Sequence, residues 1–131
     1  MDKTVGDVMH RGVTACPPDA LLSDVAHWMH KDDISAIPVT DAEGFLVGIV
    51  TRTDLVTLRV HELWREMRAE HAMTRSVVTI PPDQPLYAAI GLMNEHRIHR
   101  IVVAEPRPSG QLLPIGVVSQ SDIVREMAGE F

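Results

Sequence analysis

Residues 5–39 read VGDVMHRGVTACPPDALLSDVAHWMHKDDISAIPV, and residues 69–103 read AEHAMTRSVVTIPPDQPLYAAIGLMNEHRIHRIVV. A shift of 64 positions aligns the two stretches without a gap and places Pro17-Pro18-Asp19 on Pro81-Pro82-Asp83. After a loop that is four residues longer in the second copy, GIVTRTD at 48–54 corresponds to GVVSQSD at 116–122. Agreement over most of the chain indicates an internal duplication, so one structural unit is used twice.

Each copy predicts the same order of elements, β-α-β-β-α. The first helix has its apolar residues on one face, as Leu22, Val25 and Met29 show in copy one. Two short strands follow in each copy, and we place them at Ala36–Thr40, Leu46–Thr51, Arg100–Ala104 and Leu113–Ser119. The second strand of each pair is nearly continuous in apolar residues, which predicts burial on both faces. The predicted fold class is α+β, two tandem repeats packed about a pseudo-two-fold axis, because each half alone is marginally stable.

Helix ends and domain divisions follow from the same pattern. Asp19 and Asp83 each follow a proline pair and are predicted to cap the next helix. The helix after Asp54 is predicted to be long and to run on into the second copy. The predicted divisions are repeat 1 at 1–60, a linker that continues the helix at 61–72, and repeat 2 at 73–131.

Composition favours a cytoplasmic protein with its own core. Apolar residues make up 45% of the 131 residues, which is enough for a core without disulfides or metals. The single cysteine, Cys16, cannot pair within the chain, and the first residues lack the apolar run of a secretory signal. No stretch approaches the roughly 20 apolar residues of a membrane span. The net charge of −6 argues against nucleic acid and anionic membrane as partners.

The junction between the last strand and the last helix of each copy is where chemistry is expected. A helix N-terminus presents unpaired N–H groups that suit an anion, and Asp54 or Asp122, one turn in, can accept the two hydroxyls of a ribose. The same Ser/Thr-x-x-Asp pattern is also a capping box, worth about 0.5–2 kcal/mol of helix stability without any ligand. Both interpretations stay open, since a duplication copies caps as well as sites.

The motifs of both copies, Met followed by Pro-Pro-Asp, Ile-x-x-Ile-Pro-Val and Gly-Ile-Val-Thr-x-x-Asp, resemble those of the CBS domain family. Copy two has Val102 where copy one has Pro38. Paired CBS domains, called Bateman modules, commonly bind AMP, ADP, ATP or S-adenosylmethionine in clefts between the repeats. Copy two, with IHRIVV at 98–103, is similar to the nucleotide-binding γ subunit of AMP-activated protein kinase. The resemblance implies a regulatory module whose ligand is an adenine nucleotide and which has no cofactor.

The resemblance also assigns residues to two clefts. In the first, apolar groups take the adenine, a carboxylate takes the ribose diol, and basic or hydroxyl groups take the phosphate. The residues implied are Met9, Gly12, Thr14, Ile34, Ser35, Ala36 and Val117 for adenine, Asp122 for ribose, and His99, Arg100, Ser119 and Ser121 for phosphate. The second cleft would use Met73, Ser76, Val78, Ile98, Ile49, Thr51, Thr53 and Asp54. It is expected to hold phosphate less well, because Ser35-Ala36 stand where the other copy has His99-Arg100.

Three functions from different classes follow from these observations. The first is a sensor of an adenine nucleotide or S-adenosylmethionine that assembles as a homodimer and acts on an unknown regulated protein. The alternative is a protein-interaction or scaffolding module whose clefts have lost their ligand. The third is a metal sensor built on His27 and His30. We expect neither a catalytic site nor a resident metal, because the chain lacks a P-loop, a nucleophile elbow and a zinc-binding motif.

Overall fold

The computed structural model describes residues 3–129, which form two compact units. The continuous unit is Thr14–Val77. The discontinuous unit joins residues 3–13 to residues 78–129, so the beginning of the chain belongs with the second repeat. Within the described residues, no helix has the length and apolar character to cross a membrane. Residues 1–2 and 130–131, the ends of the predicted repeats, lie outside this description.

The order of helices and strands repeats along the chain. In order, the elements are α1 (Val5–Val8), β1 (His10–Arg11), α2 (Leu22–Asp32), β2 (Ala36–Thr40), β3 (Leu46–Thr51), α3 (Arg52–Leu58), a 3-10 helix (Trp64–Glu66), α4 (Ala69–Ala72), β4 (Thr79–Ile80), α5 (Leu86–His96), β5 (Arg100–Pro106), β6 (Leu112–Ser119) and α6 (Gln120–Met127). Strands β2 and β3 have the predicted bounds, and β5 and β6 extend slightly beyond theirs. The α+β tandem-repeat fold class is therefore confirmed.

Each unit is built on an antiparallel strand pair. In the discontinuous unit the sheet order is β1-β6-β5-β4, with β4 parallel to β5 and β1 antiparallel to β6. The continuous unit pairs β2 with β3 and adds single bridges, Cys16 to Val39 and Ile49 to Thr74, in place of the two edge strands. The two units therefore share one topology.

Each unit also has its own apolar core. The core of the discontinuous unit consists of Val5, Met9, Ile80, Ala89, Met93, Ile101, Val103 and Val118. The core of the continuous unit consists of Cys16, Leu22, Val25, Met29, Ile37, Val39, Val50 and Ala69. In both hairpins the second strand has two buried residues on one face and is otherwise half-buried, so the expectation of burial on both faces is wrong.

The segment that opens each repeat in sequence completes the unit of the other repeat. The N–H groups of Val5 and Gly6 donate to the carbonyls of Gln84 and Pro82, both at 2.8 Å. In the continuous unit the equivalent bonds, displaced by 64 residues, run from Ala69 to Ala20 at 2.8 Å and from Glu70 to Pro18 at 2.9 Å. This repetition of backbone hydrogen bonds explains why residues 3–13 are part of the discontinuous unit.

Two helix predictions are wrong. The helix after Asp54 ends at Leu58, and residues 61–72 contain a 3-10 turn and a short helix instead of a continuation. The chain has to reverse there, because the N–H of Leu22 donates to the carbonyl of Met67 at 2.8 Å. Helices α2 and α5 begin two residues later than a cap at Asp19 or Asp83 requires, and neither has a side-chain cap. The predicted repeat boundaries, 1–60 and 73–131, divide the sequence and stay a prediction.

Candidate functional site

The junction of β6 and α6 forms the capping box that the sequence predicts. The N–H of Ser119 donates to Oδ2 of Asp122 at 2.8 Å, and its hydroxyl donates to the same oxygen at 3.0 Å. In return, the N–H of Asp122 donates to the Ser119 hydroxyl oxygen at 3.2 Å. The capping interpretation is therefore confirmed, but it uses only one of the two carboxylate oxygens.

The other oxygen, Oδ1 of Asp122, takes no part in the cap. Asp122 is 1% exposed, and Oδ1 accepts no hydrogen bond from any residue in 3–129. His10 Nδ1 lies 2.7 Å away and an Arg125 guanidinium nitrogen lies 3.5 Å away, but Oδ1 has no hydrogen bond among the described residues. A ligand hydroxyl could donate a hydrogen bond to this oxygen.

Groups suited to phosphate lie beside this carboxylate. Arg100 is the direct cross-strand partner of Ser119 in the β5–β6 pair. The carbonyl of His99 accepts a hydrogen bond of 2.9 Å from the N–H of Gln120, which holds His99 next to the first turn of α6. His99 and Ser121 are exposed, and Arg100 is half-buried. The backbone of His99 and Arg100 therefore lies beside the N-terminus of an eight-residue helix, and such an N-terminus suits an anion.

The predicted adenine residues are divided between the two units. Gly12 and Val117 belong to the discontinuous unit, where Val117 pairs with His10 across β1 and β6. Met9 was expected to line the adenine site. Instead it is 8% exposed, and its side chain is part of the core of that unit. The remaining four belong to the continuous unit, namely Thr14, Ile34, Ser35 and Ala36.

The corresponding junction of β3 and α3 has the same cap in a more open setting. The N–H of Thr51 donates to Oδ2 of Asp54 at 2.8 Å, and the N–H of Asp54 donates to the Thr51 hydroxyl oxygen at 3.2 Å. Asp54 is only half-buried, whereas Asp122 is buried. Ala36 pairs with Thr51, at the position where the other unit pairs Arg100 with Ser119. This junction therefore lacks an arginine at that strand position, and Arg52, the first residue of α3, is the exposed arginine that could substitute for it.

The other residues predicted for the second cleft are also divided between the units. The continuous unit contains Ile49, Thr53, Met73 and Ser76, and the discontinuous unit contains Val78 and Ile98. Thr53 and Ser76 are exposed, whereas Val78 and Ile98 pack against the core of the discontinuous unit. Their expected part in ligand binding stays a prediction.

Sequence reasoning missed His10. Its side chain is 62% exposed, but its Nδ1 contacts Asp122, which is far along the chain. The sequence signal that could have identified His10 was the alignment of the repeats. His10 aligns with Thr74, and each follows a methionine. The pairing of β1 with β6 that joins His10 to Asp122 depends on the exchange of the opening segments, which the alignment alone does not reveal.

Comparison with known proteins agrees with this topology. A family model described as "CBS domain" matches residues 5–61 and again residues 65–129. The chain belongs to the CBS domain family. CBS domain pairs are regulatory ligand-binding modules, and this chain is such a module.

Individual relatives show that such pairs occur in longer proteins and in complexes with ligands. A homoserine O-acetyltransferase of Methanococcoides burtonii is 34% identical over 93% of this chain, which spans 24% of that protein. The structure of CBSX2 in complex with AMP has a TM-score of 0.82 and 25% identity, covering 97% of both chains. The CBS domain pair of protein MJ0100, in complex with 5′-methylthioadenosine and S-adenosyl-L-methionine, has a TM-score of 0.84 and 24% identity, covering both chains fully. The chain spans less than two thirds of several curated relatives that it matches.

The described residues contain no group of three or more His, Cys, Asp or Glu side chains arranged to hold a metal ion. His27 and His30, the pair considered for a metal, are both exposed on α2.

Proposed function

We propose that this CBS pair binds an adenine nucleotide, or a related adenosyl ligand such as S-adenosylmethionine, as a regulatory signal. The observation that carries the proposal is Oδ1 of Asp122, a buried acceptor without a hydrogen bond among the described residues. The ribose diol of every adenosyl ligand offers two hydroxyl donors. Since Oδ2 is already used by the cap, Oδ1 is the oxygen that such a donor would satisfy.

Phosphate recognition is proposed for the groups beside Asp122. Arg100 would supply a fork of donors, with His99, Ser119 and Ser121 completing the shell around it. Adenine would lie against Val117 and the backbone near Gly12, and the further proposed contacts are Met9, Thr14, Ile34, Ser35 and Ala36. Nucleotides with one or more phosphates are therefore expected to bind here more tightly than adenosine.

The second proposed site, around Asp54, is the weaker of the two. It has Ala36 where the first has Arg100, so a phosphate would lose its strongest partner. Ile49, Thr51 and Thr53 would form this site with Met73, Ser76, Val78 and Ile98. We expect it to prefer a less anionic adenosyl ligand, or to stay empty at concentrations that fill the first site.

The test compares two isosteric variants, Asp122→Asn and Asp54→Asn. In Asp122→Asn the amide oxygen can still accept from Ser119, while an NH2 group replaces Oδ1 and faces the ligand hydroxyls as a donor. Helix capping is thus retained while the ligand interaction is lost. Thermal unfolding is measured with AMP, ADP, ATP, S-adenosylmethionine, NAD and GTP, where a ligand at 100 times its Kd adds about 2.7 kcal/mol.

Stabilisation of the wild type by an adenosyl ligand that Asp122→Asn abolishes and Asp54→Asn retains would support the proposal. Stabilisation that survives in Asp122→Asn would contradict it. If no ligand in the panel stabilises the wild type, the alternative of a protein-interaction or scaffolding module is favoured.

Binding is proposed to act on a protein that this chain does not contain. Ligand would change the packing of the repeats and thereby the activity of an attached or separate partner. We also propose that two copies form a homodimer, and that the chain itself has no catalytic activity, nucleic acid partner or membrane partner. A reducing compartment such as the cytoplasm is proposed because Cys16 is a buried free thiol.

A further inference from the structure

His10 occupies the position at Asp122 where the proposed ligand would bind. Its Nδ1 lies 2.7 Å from Oδ1, whereas the aligned residue next to the other junction is Thr74. We propose that His10 is a specificity-determining residue, which competes with ligand hydroxyls for Oδ1 and weakens binding at this site when the imidazole is protonated. The inference rests on the proposed function, because it presumes that a ribose diol binds Asp122.

Competition follows from the space and the bonds available at the carboxylate. Oδ2 accepts two hydrogen bonds from Ser119, so a diol must reach Oδ1. An imidazole nitrogen 2.7 Å away already occupies that hydrogen-bonding distance, and a ligand oxygen would need the same space. The His10 side chain is 62% exposed, so it can rotate away from Asp122 without leaving a buried cavity.

The existing contact depends on the charge of the imidazole. Oδ1 accepts no hydrogen bond from His10 or from any other described residue, although the nitrogen lies close. The attraction is therefore mainly electrostatic, and it is stronger for an imidazolium than for a neutral imidazole. A ligand hydroxyl displaces the neutral imidazole more readily than the imidazolium.

The charged groups around His10 determine the direction of the pH effect. From α6 it faces Asp122, whose Oδ1 also has Arg125 at 3.5 Å. From β6 it faces Val117 and Gly116, which do not titrate, and its neighbour on β1 is the exposed Arg11. Since histidine side chains change charge between pH 5 and 8, the contact is strongest at the acid end of this range. Ligand affinity should therefore rise with pH.

The experiment uses adenosine, which has the diol but no phosphate to titrate in this range, and AMP as a second probe. Calorimetric titrations at pH 5.5, 6.5 and 8.0 compare the wild type with His10→Thr, which places the residue of the other repeat on β1. The wild-type affinity for adenosine should rise about tenfold from pH 5.5 to 8.0. His10→Thr should bind more tightly at pH 5.5 and show no such rise.

Three results would overturn the inference. Identical pH profiles for the wild type and His10→Thr would remove His10 from recognition while leaving the proposed function intact. Affinity for adenosine that falls as pH rises would make His10 a partner of the ligand and not a competitor. If neither protein binds adenosine or AMP at pH 8.0, the competition is contradicted, and the proposed function fails with it only if no adenosyl ligand stabilises the wild type.

Discussion

The N–H of Val5 donates a hydrogen bond of 2.8 Å to the carbonyl of Gln84, which lies in the other repeat of the sequence. This bond, and its counterpart between Ala69 and Ala20, show that neither unit is completed by its own repeat. The opening segment also brings His10 to Asp122. The exchange therefore completes two cores and supplies a residue to the candidate site.

Val5→Ala should destabilise the unit of the second repeat, because Val5 is fully buried in the core of the discontinuous unit. The expected loss is about 2 kcal/mol, at the lower end for removal of buried methyl groups. Hydrogen exchange should accelerate in α5 and β5 more than in α2 and β2. Val25→Ala, an equally buried valine of the continuous unit, is the control and should give the opposite distribution. Equal acceleration in both units would contradict the division.

Gly116→Ala should cost more stability than Gly48→Ala. A Cβ at Gly116 would collide with the backbone carbonyl of His10, whereas one at Gly48 would meet the side chain of Met73, with its sulfur at 2.6 Å. A flexible methionine can move and a paired strand cannot, so we expect about 1–3 kcal/mol for Gly48→Ala and more for Gly116→Ala. Urea denaturation of the two variants measures the difference in the free energy of unfolding. A larger loss of stability for Gly48→Ala would contradict the close approach of β1 to Gly116.

Arg100→Ala should lower the affinity for AMP by about 10- to 100-fold, which corresponds to a charged hydrogen bond of about 1.5–3 kcal/mol. The affinity for adenosine should hardly change, because Arg100 is proposed to contact only phosphate. Arg107→Ala, in the loop after β5 and paired with Glu105 at 3.8 Å, is the matched control and should bind both ligands normally. Equal losses for AMP and adenosine would place Arg100 outside phosphate recognition.

Cys16 should make the protein less stable at alkaline pH. Burial raises the pKa of this thiol to about 11, from an ordinary value of 9.0. The neutral thiol therefore contributes stability that is fully present below pH 9 and is lost as pH rises from 9 towards 11. The loss by pH 10.5 is about 2 kcal/mol at 1.36 kcal/mol per pKa unit. Urea midpoints of the wild type and Cys16→Ala between pH 7 and 10.5 isolate the effect, and parallel curves would rule it out.

Arg97→Gly should stabilise the discontinuous unit. Arg97 ends α5 in the left-handed region with φ 55°, which costs a residue with a Cβ about 1–2 kcal/mol. Glycine removes that strain but adds disorder to the unfolded chain, so the net gain is about 1 kcal/mol. Asp33, with φ 50° at the end of α2, should gain less on replacement by glycine, because aspartate tolerates this conformation better. Thermal unfolding compares the two, and a loss of stability in Arg97→Gly would contradict the prediction.

The duplication, the strand pairs and the two junctions were determined by the sequence itself. Pattern alone gave the bounds of β2 and β3 correctly, because their apolar residues lie between turn-forming residues. It also identified Ser119 and Asp122 as a capping box, since that bond spans only three residues. Local spacing is sufficient wherever the interacting groups are neighbours along the chain.

Only the tertiary structure decided what depends on distant segments. The end of the helix at Leu58 follows from the return of Met67 to Leu22, and no local signal encodes that bond. The burial of Met9 and the contact of His10 with Asp122 both follow from pairing β1 with β6. Each opening segment adjoins its own repeat in the sequence but pairs with the other repeat. The hydrogen bonds of this pairing join residues far apart in the chain, where spacing carries no information.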